Sequence, residues 1–552
     1  MSDDDKYVIH GGPSSVPIPD GMLGEFIYNS LRDGNGKDVA MVDVFTGCTL
    51  TYEQLFRDTC NLAQALRKYG CKQGTVISVC SENSLSFFVP VIATLYLGAT
   101  VAPINHAYTE HELHHVLSIN QPKIIFCSSL SVQKFLTLQK QLKFIEKVVI
   151  MGEGTNSFGV ENISRFVGEQ LNGILLDPCE FKVFKEADPS DNVAFILSSS
   201  GTTGLPKGVM STDKNFLVRI VHSREEKISS APLVGNVSLG LMPFFHGFGL
   251  NVTLGSIVNR EKVAVFQRFD EDIFLKTLQD YKISAIGVAP VLAAFLAKSP
   301  KVDKYDLSSL QEILCGAAPM SKELENALKK RLKISSTRQA YGLTESTLAV
   351  TMMKRGDPPK PGSSGSVVSN TSIKVRDPET GRTLGPNQVG EICLKGLLIM
   401  KGYYRNPQAT AETFTEDGWL RTGDLGYYDE DEFFFIIDRL KELIKYKGFQ
   451  VAPAELEAIL LNHPKVLDVG VVGAPDENVG ELPVAFVVKK PGMEVTEQEL
   501  IETVNKKVSP HKRLRGGVVF VNAIPKNPSG KILRRELRKI IPHSKIRRES
   551  KL

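Results

Sequence analysis

The sequence has few of the features that mark specialised chain types. Its eight cysteines are scattered through 552 residues and none forms a Cys-x-x-Cys pair, so neither a zinc site nor a disulfide framework is indicated. It contains no internal repeat and no low-complexity tract. With 42% hydrophobic and 23% charged residues, the composition excludes disorder, collagen and coiled coil as the main content. A chain this long buries a large core without disulfides.

Long hydrophobic runs are also scarce. The stretch 87–104 is mostly apolar, but Pro90, Gly98 and Pro103 interrupt it. It therefore predicts a buried helix that leads into a buried strand, and we expect no transmembrane segment. The first ten residues, MSDDDKYVIH, are acidic and lack an apolar core, so no secretory or transit peptide is expected.

Net charge is almost absent, at +4, but it is unevenly distributed. Residues 505–552 carry fifteen Lys and Arg against two Glu, a net charge of +13, which leaves −9 for the remainder. This basic segment contains a single aromatic residue of the Phe, Tyr and Trp type, Phe520, and so lacks the interleaving of aromatic and basic residues; nucleic-acid binding is therefore not expected. Its end, Ser550-Lys551-Leu552, is typical of a peroxisomal address. We therefore expect a peroxisomal location and the import receptor as a partner.

The order of short patterns predicts an α/β fold. Residues 50–105 read as helix, strand, helix and strand, and residues 238–300 continue the alternation, which favours parallel α/β layers. After about residue 360 short strands and turns dominate, and a compact α+β unit follows residue 440. We predict a large N-terminal domain, 1–438, of two α/β subdomains and a β-rich subdomain. A small mobile α+β domain, 439–552, would follow.

The strongest chemical motif is Ser198–Gly208, SSSGTTGLPKG, which directly follows the apolar run VAFIL. Glycines let backbone N–H groups approach a ligand, while the hydroxyls and Lys207 supply donors and positive charge, so the loop predicts polyphosphate binding. It is not a Walker A loop, because the spacing to Lys207 differs and Gly208 stands where Ser or Thr would. The alternative, a flexible linker, is disfavoured by the preceding buried strand.

Three further motifs carry polar chemistry. Tyr341–Thr347, YGLTEST, combines a ring that can stack on a base with a carboxylate that can hold Mg²⁺. Trp419–Asp424, WLRTGD, ends in a carboxylate that can accept bonds from a ribose diol. Pro528–Lys531 is a turn that presents one lysine before a basic helix, and in isolation the pattern favours an ordinary surface lysine over a functional one.

Taken in order, these motifs resemble the adenylate-forming superfamily of acyl- and aryl-CoA synthetases, nonribosomal adenylation domains and insect luciferases. The resemblance spans essentially the whole chain. FHGFG, LIKYKGFQVAPAELEAILL, KRLRGGVVFV and IPKNPSGKILRREL are most similar to beetle luciferases and their fatty acyl-CoA synthetase relatives. The resemblance implies two half-reactions with ATP, Mg²⁺ and coenzyme A. A carboxylate first forms an acyl-adenylate and pyrophosphate, and a thiol then displaces AMP.

The resemblance also implies roles for individual residues. Lys531, His246, Thr344 and Lys445 match catalytic positions, Glu345 matches the Mg²⁺ ligand, and Arg219, Phe248, Leu348 and Ala349 match the acyl or luciferin pocket. Asp438 matches the hinge, and Lys447 and Gly448 match the surface used in the thiol step. The positions that match ATP or AMP contacts are Ser199, Ser200, Gly201, Thr202, Thr203, Gly204, Lys207, Gly316, Ala317, Ala318, Pro319, Tyr341, Gly342, Leu343, Asp424 and Arg439.

Departures from the luciferase pattern concern the substrate. Leu348 stands where luciferases typically have Ser, Ala317 where they commonly keep Gly, and Phe245 where a His is common. Leucine removes a hydroxyl donor and adds apolar bulk, which suits an alkyl chain. The sequence therefore predicts a medium- or long-chain fatty acyl-CoA synthetase. The alternative is an insect luciferase, an ATP-dependent luciferin monooxygenase, and weak luminescence is compatible with the complete set of adenylation residues.

Overall fold

The computed structural model describes residues 5–152, 159–199, 206–229, 231–232, 235–316, 320, 322–447, 449–476, 478–527 and 530–541. It is a mixed α/β protein with a large N-terminal domain and a smaller C-terminal domain, as the sequence predicts.

The helices are, in chain order, α1 Leu23–Arg32, α2 Tyr52–Lys68, α3 Phe88–Leu95, α4 Glu110–Asn120, α5 Val132–Gln141, α6 Ile163–Leu171, α7 Asp213–His222, α8 Gly247–Val258, α9 Glu271–Asp280, α10 Pro290–Lys298, α11 Lys322–Leu332, α12 Pro407–Thr413, α13 Pro453–Leu461, α14 Glu497–Asn505 and α15 Arg534–Lys539.

The strands are β1 Ile9–His10, β2 Val39–Asp43, β3 Thr49–Thr51, β4 Val76–Cys80, β5 Thr100–Pro103, β6 Ile124–Cys127, β7 Lys147–Ile150, β8 Val193–Ser199, β9 Lys207–Thr212, β10 Val237–Gly240, β11 Lys262–Val265, β12 Ala285–Val288, β13 Glu312–Cys315, β14 Ser336–Leu343, β15 Leu348–Met352, β16 Ser366–Val367, β17 Thr371–Arg376, β18 Thr383–Leu384, β19 Gly390–Gly396, β20 Gly402–Tyr403, β21 Leu420–Tyr428, β22 Phe434–Arg439, β23 Ile444–Tyr446, β24 Phe449–Val451, β25 Val466–Asp476, β26 Gly480–Lys489 and β27 Gly517–Phe520.

The largest sheet has the strand order β20-β9-β8-β5-β4-β6-β7. Strands β4 to β7 are parallel to their neighbours, and β5 is also parallel to β8. This arrangement confirms the parallel layers predicted for residues 50–105. The apolar stretch 87–104 forms α3 and β5, both fully buried. No helix in the described part of the chain has the length and apolar character needed to cross a bilayer.

A second α/β sheet has the order β12-β13-β14-β15-β16. Its first three strands are parallel, whereas β15 and β16 turn back antiparallel. A smaller sheet, β10-β11-β2-β3, joins two strands from the beginning of the chain, β2 and β3, to two strands after residue 236. The YGLTEST motif spans the last residues of β14 and the turn to β15, which places it at one end of these two neighbouring strands.

The predicted β-rich region is a sheet of order β1-β17-β19-β21-β22, with β18 paired to β17. Its strand β22 ends at Arg439, and the sheet of the C-terminal unit, β24-β23-β26-β25 with β27 beside β26, begins at Ile444. Pro453 occupies the first turn of α13, where proline is well tolerated because the amide it lacks would have no helical partner. At α14, the Thr496 side chain accepts from the Glu499 amide, while the Glu499 carboxylate binds Lys465.

Candidate active site

A cavity of about 400 Å³ lies where the sheets of the N-terminal domain meet the C-terminal unit. Most of the predicted site residues in the described part of the chain line it. They are Ser199, Lys207, Arg219, His246, Phe248, Gly316, Tyr341, Gly342, Leu343, Thr344, Glu345, Leu348, Ala349, Arg439 and Lys531. Residues that are hundreds of positions apart in sequence therefore face one space.

The remaining predicted residues form two groups. Four described residues, Asp424, Asp438, Lys445 and Lys447, are not in that lining. Lys445 and Lys447 lie at β23 of the C-terminal unit, where the Lys445 amide donates to Glu481 and the Lys447 amide to Val479. The other group lies outside the described residues: Ser200, Gly201, Thr202, Thr203, Gly204, Ala317, Ala318, Pro319, Gly448, Ser550, Lys551 and Leu552.

The strands on either side of the predicted phosphate loop bring its two ends together. β8 and β9 are antiparallel, and Ser199 is paired with Lys207 across them. The Lys207 ammonium lies 4.7 Å from the centre of the Tyr403 ring. The Tyr403 hydroxyl donates a 3.0 Å bond to Oε1 of Glu345. Lys207 and Glu345, from separate motifs, therefore contact the same tyrosine, which the sequence reasoning did not identify.

Tyr341, Asp424 and Arg439 form a hydrogen-bonded group. The Tyr341 hydroxyl lies 2.7 Å from Oδ2 of Asp424, and Nε of Arg439 lies 3.1 Å from Oδ1. Asp424 and Arg439 face each other across β21 and β22, which explains the contact. Burial raises the pKa of Asp424, while Arg439 and the Tyr341 hydroxyl oppose the increase. Arg439 favours the ionised form, a hydrogen-bond acceptor suited to hydroxyl groups.

Thr344 and Glu345 lie in a short 3-10 turn between β14 and β15. The Glu345 carbonyl accepts from the Met400 amide, which ties this turn to the β-rich sheet. No group of three acidic, His or Cys side chains in the described residues could hold a metal ion. A magnesium ion here would depend on Glu345 with nucleotide phosphates and water, an arrangement that is usual for Mg²⁺. The residues therefore fit the ion.

His246 caps the N-terminus of α8. Its Nδ1 accepts a 3.3 Å bond from the Phe248 amide, so in the neutral imidazole the proton is on Nε2. Burial lowers the pKa of His246, which favours this neutral form. The side chain can therefore donate to an anionic oxygen without carrying charge itself.

Lys531 enters the cavity from the C-terminal unit. Its amide donates 2.8 Å to Oδ1 of Asn527, and the Asn527 amide donates back to the Lys531 carbonyl. A Cβ added to Gly530 would lie 3.6 Å from Ala289 and Val291 at the start of α10, so this turn is seated against the N-terminal domain. Burial lowers the pKa of Lys531, as does Arg439, and Glu442 and Asp424 oppose them.

Arg534, three residues beyond Lys531, is an anchor that the sequence reasoning missed. It binds Glu442 at 2.7 Å and both carboxylate oxygens of Glu457 at 2.8 Å, and its Nε donates to the Val471 carbonyl. The hinge candidate Asp438 accepts from the Ala454 amide at the start of α13. These contacts fix the turn that carries Lys531 relative to the junction between the two domains, the segment that includes Asp438 and Glu442. The only feature of the sequence that drew attention to Arg534 was the run of basic residues in which it lies.

Comparison with known proteins agrees with this architecture. Residues 32–404 match the AMP-binding enzyme family and residues 455–531 match the AMP-binding enzyme C-terminal domain. A luciferin 4-monooxygenase of Photuris pensylvanica is 45% identical over 98% of this chain and 99% of its own. A 4-coumarate-CoA ligase of Narcissus pseudonarcissus is 38% identical over 95% of this chain and 94% of its own.

Among solved structures, ATP-bound MatB from Rhodopseudomonas palustris has a TM-score of 0.83 and 26% identity, covering 94% of this chain and 98% of that one. The chain belongs to the AMP-binding enzymes of the adenylate-forming superfamily, which includes luciferases and CoA ligases.

Proposed function

We propose that this enzyme is an ATP-dependent fatty acyl-CoA synthetase, a medium- or long-chain fatty acid–CoA ligase. The observation that carries the proposal is the apolar wall beside the adenylating residues. Leu348 and Ala349 line the cavity with Phe248, Leu314 and Met352. An alkyl chain gains about 0.8 kcal/mol for each buried methylene, and Leu348 supplies no hydroxyl to a heterocycle.

In the first half-reaction a carboxylate oxygen of the acid attacks the α-phosphorus of ATP. The new acyl–phosphate bond forms as the bond to pyrophosphate breaks, so one anion approaches another. Lys531 and Lys207 supply positive charge to this site, and His246 can donate to the carboxylate or the adenylate. Positioned donors of this kind act mainly on the charge that develops in the transition state. Asp424 is suited to hold the ribose hydroxyls beside Tyr341.

Magnesium held at Glu345 would neutralise part of the charge on the phosphates. In the second half-reaction the thiol of coenzyme A attacks the acyl carbon. The C–S bond forms, the bond from the acyl carbon to the bridging phosphate oxygen breaks, AMP leaves with that oxygen, and the thiol proton is released to solvent. We propose that residues after Asp438 rotate for this step, withdraw Lys531 and present Lys445, Lys447 and Gly448. We also propose a peroxisomal location through Ser550-Lys551-Leu552 and its import receptor.

A luciferin monooxygenase is the second candidate, and it is favoured by the 45% identity to a luciferin 4-monooxygenase. One experiment separates the two. Purified enzyme is given ATP and Mg²⁺ with dodecanoate and coenzyme A, and the acyl-CoA is measured by mass spectrometry. In parallel it receives luciferin and oxygen, and light is counted. The synthetase proposal expects acyl-CoA with little or no light, whereas bright light without acyl-CoA would overturn it.

A further inference from the structure

One hydrogen bond reaches the predicted phosphate-binding motif from outside the cavity. Nε2 of His115 on α4 lies 3.0 Å from the Pro206 carbonyl oxygen. Because a carbonyl can only accept, Nε2 carries the proton and donates. Pro206 directly precedes Lys207, the cation of the motif that lines the cavity. His115 is absent from the described lining, so it acts on a ligand in the cavity only through the backbone that it holds.

The helix that carries His115 is firmly seated. Thr109 caps α4, and its bond with Glu112 is reciprocal. Leu113, Val116 and Leu117 are buried in a core that they share with residues of β4, β6 and α5. A donor on an element packed in this way keeps its position more precisely than a donor on a loop.

α4 also contacts the residue that follows Lys207. Ile119 lies one turn beyond His115 and therefore on the same side of the helix. A Cβ added to Gly208 would lie 3.6 Å from Ile119. One face of α4 thus contacts the chain immediately before and immediately after the lysine.

The first residue of the motif faces the same segment of the chain. Burial raises the pKa of Tyr108, and the Ser198 side chain beside its hydroxyl opposes the increase. Ser198 is paired with Gly208 across β8 and β9. Tyr108 and His115, both in the segment 108–120, therefore contact the two strands that bring the ends of the motif together.

The side chain of Lys207 is held by a different element. Its ammonium lies 4.7 Å from the centre of the Tyr403 ring on β20, and β20 pairs with β9. The backbone before Lys207 is bound to α4, whereas its side chain rests on the β20 side. Loss of the α4 contact would therefore release one of two restraints on the same cation.

From this arrangement we infer that His115 is a positioning residue for the adenylation half-reaction. It binds the Pro206 carbonyl, fixes the backbone at the start of β9, and so directs Lys207 at the phosphates of ATP. The inference rests on the proposed function and on the role given there to Lys207. It does not depend on which acid is activated, because a fatty acid and luciferin would both be adenylated first.

The first test compares ligands with and without the outer phosphates. His115→Leu removes the donor. Calorimetry should show ATP binding weakened about threefold to tenfold, which is the usual contribution of one hydrogen bond. AMP lacks the β- and γ-phosphates and should bind the variant as tightly as it binds the wild type. Equal losses for the two ligands, or no loss for ATP, would overturn the inference.

Exchange kinetics give a second readout, with whichever of dodecanoate and luciferin supports the reaction. His115→Leu should lower kcat/KM for ATP about threefold to tenfold in ATP–pyrophosphate exchange, with the KM for the acid unchanged. His115→Gln carries an amide donor near the position of Nε2 and should recover most of this loss, whereas the shorter His115→Asn should not. Equal rates for the Gln and Asn variants would count against the inference, even if His115→Leu fails to fold.

His114→Leu is the matched control. His114 is exposed on the same helix, and because neighbouring helical residues point in different directions it does not share the face of His115. This variant should keep the wild-type ATP affinity and exchange rate. A loss equal to that of His115→Leu would assign the effect to the helix rather than to the bond with Pro206.

A double-mutant cycle asks whether His115 acts through Lys207. If it does, His115→Leu should weaken ATP binding far less when Lys207→Met is already present. The same loss in both backgrounds would contradict the inference. Failure of the ligase proposal is recognised separately, because light without acyl-CoA would leave the comparison of ATP with AMP unaffected.

Discussion

The Tyr341 hydroxyl and the Asp424 carboxylate are joined by a 2.7 Å hydrogen bond. This bond links the YGLTEST motif to the WLRTGD motif and orients the carboxylate that we assign to the ribose. Tyr341→Phe removes one donor from Asp424 and leaves Arg439 in place. We expect the KM for ATP to rise about threefold to tenfold, with kcat less affected, in steady-state ATP–pyrophosphate exchange. An unchanged KM would show that Asp424 does not depend on the tyrosine.

The two lysines of the C-terminal unit should separate the half-reactions. Lys531 lines the cavity with the adenylating residues, whereas Lys445 lies on β23 outside that lining in the described residues. Lys531→Ala should reduce ATP–pyrophosphate exchange by about 10²–10³, while transfer from preformed acyl-adenylate to coenzyme A continues. Lys445→Ala should show the opposite pattern. Equal losses in both half-reactions for either variant would contradict these roles.

Arg534 is expected to act as a positioning residue for Lys531. Its bonds to Glu442 and Glu457 fix the first turn of α15 against α13 and the junction. Arg534→Met leaves two carboxylates without their partner and should lower the exchange rate about tenfold, with less effect on thiol transfer. Arg534→Lys should recover part of the rate. Arg535→Met, at an exposed neighbouring position, is the control and should behave like the wild type.

Gly342 is required by a close backbone approach. A Cβ at this position would lie 1.7 Å from the Leu348 carbonyl oxygen, so alanine must displace β15 from β14. Leu348 itself has a φ of 96°, which is costly for a leucine and leaves little freedom to adjust. We expect Gly342→Ala to lose exchange activity by at least about a hundredfold.

Gly316→Ala is the matched control for this substitution. Gly316 lines the same cavity, but its added Cβ would meet Ala340 at an ordinary 3.9 Å. This variant should fold with an unchanged melting temperature. If both glycine variants lose activity and stability to the same degree, the close approach at Leu348 is not the cause.

Asp213 should give a pH-dependent contribution to stability. Burial raises its pKa from 3.8 to about 6, although its carboxylate accepts from Asn192 and the Leu23 amide. The folded state binds this proton more tightly than the unfolded state does. Protonated Asp213 therefore stabilises the fold fully below about pH 4, and this stabilisation is lost as the pH rises through 6. The change in the free energy of unfolding is up to about 3 kcal/mol. Asp213→Asn removes this dependence.

The measurement for Asp213 is the difference in urea midpoint between wild type and variant across this range. The urea midpoint of the wild type should fall relative to that of Asp213→Asn as the pH increases from about 4 to about 6. Parallel curves would show that the carboxyl titrates at its ordinary pKa in the folded protein.

The local elements follow from sequence alone, because their causes are local. Mostly apolar runs such as 76–80 predict buried strands, and a proline at the first turn predicts the start of α13. The order of motifs also specified the superfamily and most residues of the cavity. Thr496 and Glu499 have the spacing of a helix capping box, and Thr496 does cap α14, but the Glu499 carboxylate binds Lys465, a contact that depends on packing.

Tertiary structure decided the contacts between distant segments. Tyr403 meets Glu345, Glu442 meets Arg534, and Arg219 and Asn251 face one cavity, although no spacing or periodicity relates these residues. Each contact forms only because of how the sheets and helices pack. The energy that it contributes depends on how deeply that packing buries it. The sequence thus determined that this protein carries the residues of an adenylate-forming enzyme. The fold decided which of those residues share one cavity and how deeply each is buried, since distant segments come together and lose their water only when the chain is packed.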